Sequence, residues 1–488
     1  MIKNRRLENT AVFCARAAWA LFALLAAVLA LRFFRLGHGL SRNWTTALYT
    51  LLALGAGVPL LRAAGRLAVR LGRRRALAVL LALCLAVKLA WVLLVRVAPA
   101  GDYATFQGTA AELAGREVIW GGRYIALFPH VFGYSFFLSL FMKLFGQGAL
   151  LAPLLNAGLS VLSCWLLYDL ADRLSGGAAA AGAALLWIFF PSQTIYNMYV
   201  LSEPLYTALI LAFFTLIARF DQKEGGRARS WGYGLGAGLA LALVNLCRPV
   251  GAILLLALAC WLGLARLDGW RERGFRRRWL TLLLALVLCC LAVGRAGTAY
   301  LERRIGEDPA STPGYSFLVG FNLRSGGTWN REDADLLDAY SAVPGSTAPE
   351  VQRQMLAQAA ERIREERAAL PAFLYEKLHL FLGDDSAAVA YGQGVIARPR
   401  LLSELCNGYY YACFALAALA ALGALRRGER PAAALLPGIY VLGLTLAQLL
   451  VEVAGRYHYS ALPTLVLLAA WCAARPLPGR HGADTSPR

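Results

Sequence analysis

The sequence predicts an all-α polytopic membrane protein, and three observations support this fold class. Of its 488 residues, 59% are hydrophobic and only 16% are charged, whereas charged residues make up about a quarter of an ordinary soluble domain. Apolar runs long enough to cross a bilayer recur along the chain. Short arginine-rich clusters separate these runs, which is the charge distribution that orients membrane proteins.

The net charge of +20 does not indicate a nucleic-acid partner, because the positive charge lies in short loops rather than on one soluble face. The ten cysteines lie mostly inside apolar runs, where a cysteine acts as a small apolar side chain. Neither a disulfide framework nor a zinc site is predicted from them. We interpret run 12–31 as a retained first span rather than a cleaved signal peptide.

At about 20 residues per crossing, the apolar runs predict about 12 transmembrane helices. One further run, 129–146, is ambiguous. If it crossed the membrane, the basic loop 62–75 would lie on the opposite side from the later basic loops, against the positive-inside rule. We therefore interpret 129–146 as a juxtamembrane helix on the outer leaflet. The predicted spans are 12–31, 44–61, 76–98, 149–170, 178–198, 203–219, 231–247, 249–266, 279–299, 401–425, 432–451 and 459–475.

This topology divides the chain into four predicted parts. Two N-terminal helices and a basic cytoplasmic loop (1–75) precede a transmembrane core (76–299), whose first exterior loop is 99–148. An exterior loop domain (300–400) follows. The last part (401–488) holds the C-terminal transmembrane helices and a cytoplasmic tail.

Two local structures are predicted from charge and turn patterns. Within the exterior domain, segment 349–382 has the charged pairs and apolar spacing of a helix. We expect this domain to cover the outer helix ends as a lid. Arg248 and Pro249 separate two short apolar runs, and because the residue before a proline avoids helical geometry, they are predicted to form the tip of a tight hairpin.

An acidic residue stands shortly after the third apolar run, in the sequence Gly101-Asp102-Tyr103. An ionisable group so close to hydrocarbon is costly unless it is paired or used, so we interpret Asp102 as the functional centre. The alternative is that Asp102 only caps a helix over 102–115, since aspartate at a helix start accepts backbone N–H bonds.

Five polar clusters fall on the same predicted exterior face. A carboxylate with arginines and aromatic side chains suits a substrate that carries a phosphate and a sugar, and a carboxylate beside a hydroxyl can act as a general base. The clusters are Asp102 with Tyr103; His130 with Tyr134; Asn197 with Glu203; Asn245 with Arg248; and Glu452 with Arg456, Tyr457, His458 and Tyr459.

Each cluster also has a purely structural interpretation. The residues from Arg456 onward could form an interfacial belt, and Glu203 could simply be favoured by a helix dipole. His130 could be an ordinary interfacial histidine, and Arg248 could be solvated at its hairpin tip. The sequence contains no zinc-ligand spacing, glycine-rich phosphate loop or nucleophile elbow, so it does not support a soluble nucleotide donor.

The order of the motifs resembles a GT-C-type glycosyltransferase, similar to glycosyltransferase family 39 and its bacterial dolichyl-phosphate-mannose-protein mannosyltransferase-like relatives. The resemblance covers roughly 76–475 and rests on the order and membrane side of the motifs rather than on any single one. The motifs are Gly101-Asp102-Tyr103, the run 129–146, Leu201-Ser202-Glu203-Pro204-Leu205, Asn245-Leu246-Cys247-Arg248-Pro249 and Gly455-Arg456-Tyr457-His458-Tyr459-Ser460-Ala461-Leu462-Pro463.

The resemblance implies an inverting transferase that moves a monosaccharide from a polyprenyl-phosphate donor to an acceptor hydroxyl on the exterior face. Asp102 would be the catalytic carboxylate. Arg248, Arg456 and His458 would bind the donor phosphate. No cofactor is firmly implied, and a divalent metal is compatible with the scheme but not required. The residues expected to bind substrate are Tyr103, His130, Tyr134, Asn197, Glu203, Tyr457 and Tyr459.

The expected partners are the lipid-linked sugar donor, membrane lipids and a protein, lipid or glycan acceptor. The expected location is a bacterial plasma membrane, crossed many times. The chain departs from the family pattern by two extra N-terminal spans and by Gly-Asp instead of Asp-Glu in the first loop. A transporter or flippase of lipid-linked sugars stays open as an alternative, in which the charged residues would line a route; we find no convincing internal repeat of the kind typical of transporters.

Overall fold

The computed structural model describes residues 2–35, 40–116, 118–119, 121–222, 225–392 and 394–475. Throughout these residues the regular elements are helices, which confirms the predicted all-α class. In chain order they are α1 (Ile2–Arg35), α2 (Leu40–Leu71), α3 (Arg73–Leu94), α4 (Asp102–Gly115), α5 (Gly122–Leu127), α6 (His130–Phe145), α7 (Leu151–Ile188), α8 (Pro191–Tyr196), α9 (Glu203–Gln222), α10 (Arg227–Cys247), α11 (Gly251–Ala265), α12 (Arg273–Ile305), α13 (Gly314–Gly320), α14 (Arg331–Ser341), α15 (Ala348–Glu365), α16 (Leu370–Leu382), α17 (Ala387–Ala390), α18 (Pro399–Arg427), α19 (Ala432–Leu450) and α20 (Leu462–Ala474), with 3₁₀ turns at Gly269–Arg271 and Tyr457–Ala461.

In the described part of the chain, nine helices are long and apolar enough to cross a membrane, so the chain is a multi-pass membrane protein. Helix α7 has 38 residues and breaks at Ser175 and Gly176. Because Trp187 Nε1 donates to Ser160 O at 3.0 Å, the two halves of α7 run back alongside each other as two spans. With the second half of α7 and the shorter apolar helices α11 and α20, the structure has a helix within each predicted span, although the helix within 178–198 covers only part of that span.

One end of the bundle carries a network of ion pairs among the basic loops. Asp169, near the break in α7, accepts from Arg73 at 3.1 Å, from Arg173 at 2.8 Å and from Arg219 at 3.0 Å. Since Arg73 begins α3 and Arg219 lies in the last turn of α9, two of the basic loops predicted to share one membrane side do meet at one end.

Helix α6, the ambiguous run, has both of its ends at the opposite end of the bundle. Gly133 in its first turn packs against the last turn of α10, where a Cβ would collide with the carbonyl group of Leu246. A short turn after α6, helix α7 begins, and its Asn156 donates to Tyr199 O at 2.7 Å, just before α9. This is the geometry predicted for a juxtamembrane helix.

The predicted span 178–198 ends early, because α7 stops at Ile188. Pro191 begins the next short helix, and a proline cannot continue the hydrogen-bond ladder of the helix before it. The fully buried Lys88 of α3 donates from Nζ to Ile188 O at 2.9 Å and to Thr194 Oγ1 at 2.6 Å. A buried cation thus satisfies a carbonyl group that a helix end leaves free.

Segment 300–400 folds as α13 to α17 after the end of α12. It does not pack as a separate body, because a second apolar cluster joins it to the first loop: Ile125 of α5 packs with Leu301 of α12, Val319 of α13 and Val351 of α15. The buried Gln352 adds a hydrogen bond from Nε2 to Leu127 O at 3.0 Å.

The predicted helix 349–382 is two helices, α15 and α16. The chain turns between them, and Pro371 occupies the first turn of α16, where its missing N–H costs nothing. Lys377 of α16 is fully buried and donates to Gly320 O at 2.6 Å and to Leu449 O at 3.1 Å. This side chain therefore joins α16 to the ends of α13 and α19.

The two N-terminal helices are part of the bundle. Trp19 of α1 packs on Trp471 of α20, with ring centroids 6.2 Å apart. Gly408 of α18 lies against Tyr49 of α2, where a Cβ would approach Tyr49 Cβ to 2.6 Å. The two extra spans therefore cover the same core as the later helices.

The close packing of α10 on α12 gives a test of the fold. A Cβ at Gly238 would collide with the carbonyl oxygen of Leu286 and lie 2.9 Å from Cys289 Cβ. We expect Gly238→Ala to destabilise the protein by about 1–3 kcal/mol through overpacking, measured as a lower thermal unfolding temperature in detergent. Gly232 on the same helix has no neighbour within 4 Å, so Gly232→Ala should be neutral or stabilising. Equal effects of the two changes would contradict this packing.

Candidate active site

Four chain segments bring charged side chains together at the end of the bundle opposite the Asp169 network. Asp102 begins α4, Glu203 begins α9, Arg248 follows α10, and Arg456 precedes the last 3₁₀ turn. Each is therefore fixed by a helix end. The tight hairpin predicted at Arg248 is confirmed, since α10 ends at Cys247 and α11 begins at Gly251. We refer to these four residues as the charged cluster.

Glu203 is the buried centre of the charged cluster. Its Oε1 accepts a hydrogen bond from Arg248 Nη2 at 3.1 Å and lies 3.4 Å from Arg456 Nε. The Glu203 side chain is 1% exposed, so it neutralises both arginines from behind. Because the Glu203 side chain has no open surface, it is not placed for the predicted contact with substrate. It holds the two arginines in position instead.

Asp102 is the exposed acid of the charged cluster. Its Oδ2 accepts a hydrogen bond from Arg456 Nη2, and its side chain is 54% exposed while that of Arg456 is only 10% exposed. Asp102 occupies the first position of α4, and the N-cap position is taken by Gly101, which has no side chain. The pairing with Arg456 therefore goes beyond the cap that was the structural alternative for Asp102.

The charge of Arg456 also sets the ionisation of Asp102. Partial burial alone would raise the pKa of Asp102, but the charge and hydrogen bond of Arg456 outweigh burial and lower the pKa below its ordinary value. The carboxyl group is thus ionised at neutral pH. While Arg456 holds it, Asp102 is a weaker base than a free aspartate.

Tyrosine rings surround the two guanidinium groups. The Arg456 guanidinium lies 5.7 Å from the ring centroids of Tyr103 and Tyr391 and 5.6 Å from that of Tyr457. Arg248 lies over the Tyr457 ring at 4.6 Å. Such cation–π contacts favour a desolvated guanidinium, so the aromatic side chains hold both arginines in place without using their N–H groups.

His130 and Tyr134 start α6 beside the charged cluster. Burial and the nearby Arg248 lower the pKa of His130 to about 3, so this histidine is neutral at neutral pH. Tyr134 is 1% exposed and packs edge-on against Phe106 at 5.3 Å. The structure therefore brings His130 close to the cluster and leaves Tyr134 within the core.

Three predicted site residues lie behind the charged cluster, fully buried and already hydrogen-bonded. Asn197 Oδ1 accepts from Ser160 at 2.7 Å, and Tyr459 Oη accepts from Gln193 Nε2 at 3.1 Å. His458 is 1% exposed. These three side chains support the charged cluster from within the bundle. They do not lie on the open side of the cluster.

The hydrogen bonds of His458 use both of its ring nitrogens. Nδ1 lies 2.9 Å from Phe381 O, and Nε2 lies 2.9 Å from Asp385 Oδ1, while Ser192 Oγ donates to Asp385 Oδ2 at 2.6 Å. Neither nitrogen is left for a phosphate in this arrangement. The predicted phosphate contact of His458 is thus replaced by a link between α8, the end of α16 and the last 3₁₀ turn.

Two residues at the site were missed as site residues by the sequence analysis. Tyr391 follows α17 and contacts Arg456 from the predicted exterior domain. Glu452 was included in the fifth polar cluster but was given no role at the site; its Oε1 accepts a hydrogen bond from Tyr457 Oη at 3.4 Å. Tyr391 has no local sequence signal, because it reaches the cluster through the loop that follows α17. Within the described residues, no group of three or more histidine, cysteine, aspartate or glutamate side chains is placed to hold a metal ion.

The sequence matches the family model of dolichyl-phosphate-mannose-protein mannosyltransferases over residues 129–294, about a third of the chain. This match lies within the predicted transmembrane core and confirms the similarity inferred from the order of the motifs. No curated protein sequence matches the chain significantly.

Solved membrane proteins show a distant structural likeness. ArnT from Cupriavidus metallidurans bound to undecaprenyl phosphate is 16% identical, with 78% of this chain and 77% of that chain aligned and a TM-score of 0.37. The oligosaccharyltransferase of Archaeoglobus fulgidus tethered with an acceptor peptide is 13% identical, with 83% of this chain and 50% of that chain aligned and a TM-score of 0.46. The chain thus spans half the length of the archaeal protein.

The different burial of Glu203 and Asp102 gives a test of the charged cluster. Glu203→Gln removes the buried counter-charge of two arginines, and we expect it to cost about 3–5 kcal/mol of stability. Asp102→Asn breaks a half-exposed pair and should cost at most about 1 kcal/mol. Thermal unfolding of the two purified variants in detergent measures the difference. Equal destabilisation would show that Glu203 is not the structural centre.

Proposed function

We propose that the chain is a GT-C-type membrane glycosyltransferase that moves a sugar from a polyprenyl-phosphate carrier to an acceptor hydroxyl. The contact between Asp102 and Arg456 carries this proposal, because it joins an exposed carboxylate to a guanidinium held by tyrosine rings. A base beside a phosphate-binding group is what this transfer requires. The family match over 129–294 supports the choice of a lipid-linked donor.

Arg456 and Arg248 form the proposed phosphate site. A guanidinium offers a planar fork of donors that fits phosphate oxygens. Both arginines are neutralised by Glu203, and Arg456 also by Asp102. Because Glu203 is buried and Asp102 is not, an arriving phosphate would displace Asp102 from Arg456 and leave Glu203 in place.

This displacement would prepare Asp102 for catalysis. Arg456 lowers the pKa of Asp102, so the carboxylate becomes a stronger base once the phosphate takes over that arginine. The acceptor oxygen then attacks C1 of the sugar, and the bond from C1 to the phosphate oxygen breaks. Asp102 takes the proton of the acceptor hydroxyl, and the lipid phosphate leaves with its charge on Arg456 and Arg248. A single displacement of this kind inverts the sugar's C1.

The charge distribution supports an exterior position for the site. The charged cluster lies at the end of the bundle opposite the Asp169 network, where basic loops meet. Since basic loops favour the cytoplasm, the cluster would face the exterior of a plasma membrane, in agreement with a donor that needs no soluble nucleotide. The acceptor would be a hydroxyl of a protein, lipid or glycan that enters from that side.

Replacing Asp102 tests the catalytic base. We expect Asp102→Asn to remain folded and to lower sugar transfer about 10²–10⁴-fold, the usual contribution of general base catalysis. The measurement is release of polyprenyl phosphate from polyprenyl-phosphate mannose by the protein in native membranes. Asp335→Asn is the control, because Asp335 is an exposed aspartate of α14 that pairs with the neighbouring Arg331. Full activity of Asp102→Asn would remove Asp102 from the reaction, and a wild-type protein that moves the lipid without product would indicate a transporter.

Replacing Arg456 tests the phosphate site. Loss of charge-assisted hydrogen bonds of about 1.5–3 kcal/mol corresponds to an about 10- to 150-fold weaker complex. We therefore expect Arg456→Met to raise the KM for the lipid-linked donor by about that factor. Arg456→Lys should recover only part of the loss, because an ammonium group lacks the planar fork. An unchanged KM in Arg456→Met would place the phosphate elsewhere.

A further inference from the structure

Glu452 is a third carboxylate at the charged cluster, and its backbone is held firmly. Its N–H donates to Ser316 O at 2.7 Å, and its carbonyl oxygen accepts from Gln448 Nε2 at 3.2 Å. The adjacent Val453 N–H donates to Gly327 O at 2.9 Å. The half-buried side chain is thereby directed toward Tyr457, whose hydroxyl donates to its Oε1 at 3.4 Å.

Charged and titratable groups from several elements face Glu452. Burial raises its pKa above the ordinary value, although the arginines and the hydrogen bond from Tyr457 act in the opposite direction. Because the side chain is half-buried, protons from water can still reach it. The groups that face it are Asp102, Tyr124, Arg248, Tyr315, Lys377, Tyr391, Arg456 and Tyr457.

Apart from Glu452, the charges of the cluster are already balanced before a phosphate arrives. Arg248 and Arg456 stand against Asp102 and Glu203, and His130 is neutral because burial lowers its pKa to about 3. A lipid-linked sugar phosphate that binds the two arginines brings one more negative charge into the partly desolvated charged cluster. Such a charge is costly unless another group compensates it.

We infer that Glu452 takes up a proton when the lipid phosphate binds, so that the net charge of the cluster stays the same. This inference rests on the proposed donor class. The carboxylate of Glu452 accepts one proton from solvent and becomes a neutral carboxylic acid, and the proton returns to solvent when the lipid phosphate leaves. Glu452 is therefore a charge-compensating residue, while the acceptor proton still goes to Asp102.

Proton uptake makes donor affinity depend on pH in a definite direction. The bound complex carries more protons than the free protein and ligand, so binding strengthens as pH falls through the range in which Glu452 titrates. By linkage, uptake of one proton changes Kd by up to about tenfold per pH unit. Lys377 also faces Glu452, and burial lowers its pKa to about 7, so this lysine is the competing site for the proton.

The experiment is calorimetric titration of the detergent-purified protein with a polyprenyl methyl phosphate. This ligand has one negative charge that does not titrate near neutrality. Titrations between pH 5 and 8 in two buffers with different ionisation enthalpies give the number of protons taken up. We expect uptake of up to about one proton in the wild type and none in Glu452→Gln, whose Kd should also vary less with pH.

Three further variants separate the outcomes. Glu361→Gln changes an exposed glutamate of α15 and should behave as the wild type. Lys377→Met should still take up the proton. If Lys377→Met loses the uptake and Glu452→Gln keeps it, the proton belongs to Lys377 and the inference is overturned. Tyr457→Phe removes a hydrogen bond that lowers the pKa of Glu452, so the uptake should move to higher pH.

The Tyr457→Phe measurement decides the question if Glu452→Gln does not fold, because an unshifted uptake range would exclude Glu452. Binding without proton uptake in the wild type overturns the inference and leaves the proposed function intact. Failure of the wild type to bind the polyprenyl methyl phosphate at any pH overturns the donor class, and the inference with it.

Discussion

One buried carboxylate shared by two arginines holds the charged cluster together. Glu203 is almost entirely enclosed, yet it neutralises both Arg248 and Arg456. Two guanidinium groups without that partner would not be stable in a desolvated position beside a bilayer. Because Glu203 carries this structural task, the half-exposed Asp102 is not needed to neutralise the buried side of the two arginines. The roles proposed for the two acids thus rest on their different depth in the protein.

Much of this arrangement is contained in local properties of the sequence. Span length and arginine bias are local patterns, and they were enough to predict the order of the crossings and the juxtamembrane position of α6. The approach of Asp102 to Arg456 followed from the side on which each loop lies. A prediction of this kind needs only topology, because every loop on one face of a small bundle is near the others.

Depth of burial could not be predicted in the same way. His458 and Asn197 were grouped in the same polar clusters as Arg456 and Glu203, but they point into the bundle and form hydrogen bonds with Asp385 and Ser160. A sequence pattern identifies residues that are neighbours along the chain. The burial of each side chain depends on which distant helices pack against that part of the chain. Lys88 shows the same limit, since a lone cation in an apolar run gives no sign of the helix end that it caps.

The pairing of Asp102 with Arg456 spans 354 positions of the chain. At ribosomal rates of about 5–20 residues per second, roughly 20 to 70 s separate the synthesis of the two side chains. During that interval Glu203 and Arg248 are already inserted, but the final hairpin is not. A nascent chain that stalls before α19 therefore enters the membrane with most of its helices but without Arg456, so under the proposed function it lacks half of its phosphate site.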